Sequence, residues 1–348
     1  MTPVADVSLD DIVIAGPRIA RQPPETRGLA RDGVRLMVVQ HDGVEHANFH
    51  ELARFLEAGD VVVVNASATI AAAADALRPN RDHVVVHFAA QPRGTWLAEV
   101  RTLDQHGPVR DMSLGDRLVV ADGGEVVLEA PVDSHRRFWR IGVKTAGSFA
   151  RWLEANARPI SYSHGNERWP LSAYQTVFGR HPGSSEMPSA GRPFSTALVT
   201  DLVARGIVIA PIVLHTGLSS LEIGEAPPAE WFDVPRSTAR IVNACRRGAG
   251  RVVAVGTTVV RALESAAGDD GAVVASSGWT DLVLSPSRRA RTIDALITGW
   301  HEPRSTHLEL LAAVVRRDTV RRAYVDALAH GYLWHEFGDS CLFVAERD

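Results

Sequence analysis

Lysine is almost missing from this chain of 348 residues: Lys144 stands alone, so arginine supplies nearly every positive charge. The arginine clusters at 136–137, 246–247, 288–291 and 316–322 are compatible with phosphate contacts. They read equally as solvated faces, because the formal net charge of -4 gives no global attraction to nucleic acid. Cysteine is scarce as well. Cys245 and Cys341 lie far apart without metal-ligand spacing, which predicts two reduced, partly buried thiols and excludes a disulfide framework. No apolar run approaches the roughly eighteen residues of a membrane span, and the opening MTPVADVSLDD is acidic where a signal peptide would be basic. A cytoplasmic protein without membrane contact is the expectation, and a monomer.

Generic catalytic motifs are absent too. GAGRVVAVG at 248–256 carries glycines around a strand but not the strand, GxGxxG, helix order of a dinucleotide site. There is no Walker A sequence and no GxSxG elbow. His301-Glu302 and His335-Glu336 begin like zinc-protease motifs but lack the second histidine, so no catalytic metal is expected.

What is present is enough apolar residue, 45%, for a large core and two domains. Strand candidates at 61–65, 207–214 and 251–255 alternate with helix candidates at 197–205, 238–247 and 259–267, a rhythm that predicts a largely parallel sheet. Ser195 or Thr196, Ser237, and Thr257 or Thr258 are the expected caps. One long helix is expected from Thr306 to Ala329. Between 82 and 146 the pattern changes to short β-type runs, HVVVHF, TWLAEVR, DRLVVA, EVVLEAPV and FWRIGV. Helix-and-strand sequence flanks these runs on both sides. The fold class predicted is therefore an α/β main domain, 1–75 plus 150–348, with an inserted β-barrel-like domain at 76–149.

Four stretches of the C-terminal half carry chemistry. VAVGTTVVRALESAA at 253–267 runs from a strand through Gly256 into a helix start with Thr257 and Thr258, an arrangement that suits a carboxylate or phosphate. Arg261 and Glu264 follow one turn deeper, either as ligand contacts or as a surface ion pair. WHEPRSTHLELL at 300–311 projects His301 and Arg304 from a proline-constrained turn, with Ser305 or Thr306 as cap. EMPSAGRPFS at 186–195 offers Ser189, Ala190 and Gly191, small enough for a ligand to approach the backbone. His215 ends the strand IVIAPIVLH, where an open α/β sheet places its ligand crevice, although a strand-end histidine can also be purely structural.

These stretches, in this order, resemble the S-adenosylmethionine:tRNA ribosyltransferase-isomerase family of the queuosine pathway. YQTVF at 174–178 is similar to the family's YQTVY, PSAGRPFS to its PTAGLHFT, LHTG at 214–217 to its LHVG, and HEPRST to its HLPRST. VGTTVVRALESAA resembles the family's most recognisable block almost letter for letter, FGDSCLF at 337–343 resembles YGDAMLI, and GDVVVVNAS at 59–67 resembles GDLLVVNDT. The resemblance implies an α/β domain with an inserted β domain. It also implies S-adenosylmethionine as co-substrate, giving its ribosyl moiety to a 7-aminomethyl-7-deazaguanine base in tRNA to form epoxyqueuosine, with release of adenine and methionine.

Such a reaction needs a base for the C5' proton beside the sulfonium, an acid for departing adenine and an anion site for the methionine carboxylate. His215, His301 and Arg304 are the catalytic candidates. Ser189, Ala190, Gly191, Gly256, Thr257, Thr258, Arg261, Glu264, Ser305 and Thr306 are the cofactor-binding candidates. The chain departs from the family's motifs at Ala66 and Ala68, where the family has an acid and an arginine, at Arg192-Pro193, where it has Leu-His, and in LHTGLSSL, where it has LHVGAGTF. On the sequence, three outcomes stay open: tRNA ribosyl transfer, a related reaction on a small-molecule acceptor, and a silent binding homologue.

Overall fold

The computed structural model describes residues 18–41, 43–105, 107–132, 134–161, 168–218, 228–301 and 306–345. The strands in chain order begin with β1 (Arg35–Val39), β2 (Val44–Asn48), β3 (Val61–Asn65), β4 (Ser67–Thr69), β5 (Ala73–Leu77) and β6 (His83–Ala90). They continue with β7 (Trp96–Thr102), β8 (Arg117–Val120), β9 (Glu125–Pro131), β10 (Phe138–Lys144), β11 (His181–Ser184) and β12 (Val208–Leu214). The last are β13 (Glu230–Val234), β14 (Val252–Val255), β15 (Ser276–Thr280), β16 (Ala295–Gly299) and β17 (Ser340–Val344). The helices are α1 (Phe149–Asn156), α2 (Thr196–Ala204), α3 (Arg236–Arg247), α4 (Thr257–Ser265), α5 (Thr306–Val314) and α6 (Arg317–Ala329).

A nine-stranded sheet has the order β15-β13-β12-β3-β14-β16-β17-β1-β2. Strands β12, β3, β14 and β16 run parallel, whereas β13, β15, β17 and β2 each meet a neighbour antiparallel. The sheet is thus mixed, where sequence rhythm predicted largely parallel pairing. The rhythm lies in the central strands, of which β3 and β14 are buried along their whole length. Period-two alternation sorts β3 between two cores: Val61 and Val63 join Met37, Ile212 and Ala254 under α3 to α6, while Val62 and Val64 join Leu36, Val253 and Ile297 under α2.

Strands β10-β7-β6-β5-β8-β9 close into an antiparallel barrel between β4 and α1, so the barrel is inserted into the α/β fold. Its interior is filled by Val84, Val86, Phe88, Val100, Leu118, Val126, Leu128 and Trp139, and α1 contributes Trp152 and Leu153. The chain enters and leaves the barrel side by side, since Ala73 donates to the Arg158 carbonyl and Arg158 N–H donates back to Ala73 at 2.9 and 2.8 Å. The five β-type runs of the sequence are all strands. The sixth, β5, lies in the alanine-rich stretch 73–77, which has little β propensity of its own and is held by pairing with β6 and β8.

Three helix expectations change. The long helix is two, α5 and α6, because Arg316 adopts extended backbone angles (φ -66°, ψ 148°) and restarts the helix. The break lets Leu308 and Leu311 of α5 and Val320, Ala323 and Tyr324 of α6 reach the same core from different directions. Neither Thr257 nor Thr258 caps α4; Gly256 holds the cap position at φ 91°, with no side-chain cap hydrogen bond. Ser195 caps α2 as expected, its hydroxyl accepting from Leu198 N–H at 3.1 Å. Pro235, not Ser237, precedes α3. Cys245 and Cys341 are both buried and neither forms a disulfide, and no described helix is long and apolar enough to cross a membrane.

Candidate active site

The parallel strands β12, β3, β14 and β16 end at one edge of the sheet, and the side chains just past those ends form the site. Asn65, the last residue of β3, binds this edge together. Its amide nitrogen donates to the Leu214 carbonyl at 2.8 Å and to Thr258 Oγ1 at 3.3 Å. Its carbonyl oxygen accepts from Leu214 N–H and Ser67 N–H, each at 3.0 Å. One buried amide thus fixes the end of β12, the start of β4 and the first turn of α4.

His215 follows β12 directly. Its Nδ1 lies 2.7 Å from Ser67 Oγ, which lies 2.6 Å from Ser184 Oγ, which in turn accepts from Thr216 N–H at 3.0 Å. If Nδ1 gives its proton to Ser67, Nε2 keeps a free lone pair; the reversed relay puts the proton on Nε2. Burial and then the neighbouring His181 lower the pKa of His215, favouring the neutral ring that a base requires. The ring stacks on Trp231 at 5.2 Å between centroids. Gly183 lies against its other side, where a Cβ would come within 2.5 Å of the imidazole. A cleft of ≈ 240 Å³ opens there, lined by His215, Gly217, Trp231 and Trp279 of the main domain and by Ala90 of the barrel. That is below the roughly 300–1,000 Å³ of pockets that enclose a drug-sized ligand, so the cleft suits one ring system of a larger molecule.

The PSAG loop and the GTT helix start come together. Ser189–Gly191 forms a single 3-10 turn, and a Cβ on Gly256 would stand 3.3 Å from the Ala190 Cβ. Gly191 is backed by Thr176 and Phe178 of the YQTVF segment. Thr257 is buried and Thr258 half-buried; the Gly256 carbonyl accepts from Val259 N–H at 3.1 Å, and no side chain caps the turn. This is the terminus whose sequence predicts an anion site.

Arg261 and Glu264 do not pair with each other. The Arg261 guanidinium bonds the Glu230 carboxylate and donates to the carbonyls of Leu282 (3.0 Å) and Thr280 (3.3 Å). Glu230 also accepts from Gly217 N–H at 2.8 Å, beside His215. Glu264 accepts from Arg291 N–H at 2.6 Å and from the N–H and hydroxyl of Thr292 at 2.7 Å. Both side chains are therefore committed to other parts of the fold.

His301, past the end of β16, lies 2.9 Å from Thr298 Oγ1 through Nε2 and stacks on His307 at 4.2 Å, with the rings nearly parallel. Burial, then His307 and His335, hold His301 well below the usual imidazole value; burial and then Arg261 bring His307 down to about 4. Arg304 and Ser305 lie outside the described residues, and of Thr306 only its place at the start of α5 is described.

Several contributors escaped sequence reading. Asn65 and Ser67 sit in the GDVVVVNAS block but drew no role there, and Trp231 and Trp279 come together only through the pairing of β13 with β15. Glu186 and Glu336 are a further pair: burial and then the Glu186 carboxylate push Glu336 up to about 8. Two of the substituted motif positions pack within the fold. Arg192 is buried, donating to the Ala173 carbonyl at 3.0 Å and to Glu25 at 2.9 Å, and Ala68 lies 3.3 Å from where a Gly179 Cβ would be. Of the arginine clusters, Arg137 is buried against Glu99 at 2.7 Å, and Arg246 is spent on the carbonyls of Gly271 and Arg291.

Comparison with known proteins agrees with this architecture. The family model described as Queuosine biosynthesis protein matches residues 14–343. An S-adenosylmethionine:tRNA ribosyltransferase-isomerase of Moorella thermoacetica is 34% identical over 339 residues, 94% of this chain and 96% of the relative. The protein of that name from Symbiobacterium thermophilum is 35% identical over 342 residues, covering 94% and 96%. The crystal structure of an S-adenosylmethionine tRNA ribosyltransferase from Thermotoga maritima superposes with a TM-score of 0.54 at 27% identity, covering 97% of this chain and 100% of that one. With a family match spanning nearly the whole chain and relatives alike from end to end, this chain belongs to the queuosine biosynthesis protein family.

Proposed function

We propose that the chain is an S-adenosylmethionine:tRNA ribosyltransferase-isomerase. It transfers the ribosyl moiety of S-adenosylmethionine to a 7-aminomethyl-7-deazaguanine base in tRNA, giving epoxyqueuosine, adenine and methionine. The observation that supports this most directly is the meeting of the PSAG turn with the GTT helix start beside His215, in a chain that its relatives match along almost its full length. A tRNA substrate implies work in the cytoplasm. The small-molecule acceptor is the weaker reading, because relatives named for tRNA chemistry match end to end and the altered motif positions Arg192 and Ala68 serve packing.

In this reading the methionine carboxylate sits at the start of α4, held by first-turn N–H groups and the Thr257 and Thr258 hydroxyls, with Ser189 to Gly191 closing over it. Arg304, Ser305 and Thr306 complete the anion site. His215, neutral and oriented by Ser67, takes the C5' proton beside the sulfonium through Nε2. His301, neutral in its buried stack, hydrogen-bonds the departing adenine. Arg261 and Glu264 act behind these groups by fixing β13 and the 291–292 segment. The acceptor base occupies the cleft beside Trp231 and Trp279, at the border between the α/β main domain and the inserted barrel.

The test is incubation with S-adenosylmethionine, with and without tRNA carrying the deazaguanine precursor, followed by mass spectrometry of nucleosides and small products. Adenine and methionine released in step with epoxyqueuosine, and only with tRNA, is the expected result. Release that ignores tRNA, or binding without turnover, overturns the proposal.

A further inference from the structure

A second cluster of metal-ligating side chains lies at the far end of the sheet from the crevice. His46 is on the edge strand β2, Asp326 is in the last turn of α6, and His330, four residues on, caps the C-terminus of that helix. One ligand atom from each of the three falls within 4.8 Å of the others. His46 Nε2 is 3.2 Å and His330 Nδ1 3.0 Å from Asp326 Oδ1, and the two imidazole centroids are 4.4 Å apart. Despite those short distances, Asp326 Oδ1 accepts no hydrogen bond of acceptable geometry from either ring. That leaves a carboxylate oxygen without a hydrogen-bond partner beside two imidazole nitrogens.

We propose that His46, Asp326 and His330 form a binding site for a divalent cation of the zinc class, which ties α6 to the edge strand β2. Two imidazoles and one carboxylate are a donor set for zinc, nickel or cobalt and a poor one for magnesium or calcium. Ligand atoms at about 2.0–2.2 Å from one ion are at most about 4.4 Å apart, so the cluster closes with small side-chain rotations. His46 has an outer partner: its Nδ1 lies 2.8 Å from the Tyr332 hydroxyl. With Nδ1–H donating to that oxygen, the Nε2 lone pair points at the cluster, which is how outer hydrogen bonds set the tautomer of metal-bound histidine. His330 ligates through Nδ1, the atom 3.0 Å from Asp326 Oδ1, and keeps its proton on Nε2.

The electrostatics favour a cation. Asp326 and His330 stand at the C-terminus of α6, the negative end of the helix dipole. The Arg35 guanidinium, stacked on Tyr332 at 4.2 Å, is paired with Asp339 at 2.7 Å. The three side chains are 38%, 31% and 55% exposed, open enough for water to complete the coordination. None of these residues takes part in the proposed reaction, so the site is a staple and not a reaction centre.

Isothermal titration of the chelator-treated full chain with zinc chloride tests this. One equivalent should bind, with a rise in melting temperature, and magnesium chloride should give no heat. His46→Ala, His330→Ala and Asp326→Asn should each weaken zinc binding at least tenfold and abolish the thermal shift. Tyr332→Phe should cost about tenfold through the lost outer hydrogen bond. Circular dichroism checks that each variant is folded. No saturable zinc binding by the wild-type chain, or undiminished binding by a folded Asp326→Asn or His46→Ala variant, overturns the proposal.

Discussion

Ala190 leaves little room beside Gly256: a Cβ placed on Gly256 would stand 3.3 Å from that of Ala190, on a backbone with φ 91° that only glycine adopts freely. This is where two sequence blocks 66 positions apart become one surface, and it leads to the first prediction.

Gly256→Ala forces an L residue into a strained conformation at a cost of about 1–3 kcal/mol and presses the PSAG turn outward. Affinity for S-adenosylmethionine should fall about tenfold or more by isothermal titration, while the melting temperature changes only in proportion to the strain. Unchanged affinity would remove this contact from the binding site.

The base assigned to His215 predicts a kinetic signature. His215→Ala should lower kcat by about 10²–10⁴-fold. Ser67→Ala should have a smaller effect, since the imidazole remains but its tautomer is no longer fixed. Burial first, and the charge on His181 second, keep His215 below its ordinary pKa, so the acidic limb of activity should lie below that of free imidazole. Removing the repulsion by His181→Ala should move the limb upward, which a kcat profile against pH will read.

Glu336 gives a stability prediction with a definite sign. Its folded pKa, raised to about 8, exceeds the unfolded value of about 4.3, so the folded state holds the proton more tightly. The resulting stabilisation is complete below the unfolded pKa and is lost as pH rises through about 8. Thermal melts from pH 4 to 9 should show this decline in the wild-type chain and a flatter dependence in Glu336→Gln. Parallel curves for the two proteins would contradict the assignment.

Arg261 is buried against Glu230, and cutting it to alanine leaves that carboxylate without its cation. A loss of about 3–5 kcal/mol in urea unfolding is expected for Arg261→Ala. The double variant Arg261→Met with Glu230→Gln should recover much of it, because a neutral pair removes the stranded charge.

Trp279 should matter to the acceptor alone. Its indole walls the cleft opposite His215, and stacking on a base is worth about 1–3 kcal/mol. Trp279→Ala should weaken binding of precursor tRNA by a corresponding factor and leave S-adenosylmethionine affinity unchanged. Equal losses for both ligands would place S-adenosylmethionine, and not the base, in the cleft.

Legibility in the sequence followed from how local each signal was. The central strand VVVVN declares itself because burial on both faces demands an unbroken apolar run, and Ser195 declares α2 because a cap acts within one turn. The break at Arg316 was invisible, since no glycine or proline marks it and it exists so that two apolar stripes can meet one core. The partner of Arg261 was misjudged for a similar reason. Glu264 is three residues away along the helix, but Glu230 is brought alongside by β13, and the buried contact prevails over the exposed one.

By itself the sequence determined the alternation of strands and helices, the inserted β segment and the motif blocks whose order marks the family, because hydrophobic period, capping and short motifs are properties of neighbouring residues. Only the tertiary structure decided that Asn65 joins the end of β12 to the start of α4, that Ser67 orients His215, and that His46 of one edge strand faces Asp326 and His330 of α6. Those relations depend on which strands become neighbours, and neighbouring in the sheet is settled by burying the whole apolar surface at once, a quantity that no local stretch of chain contains.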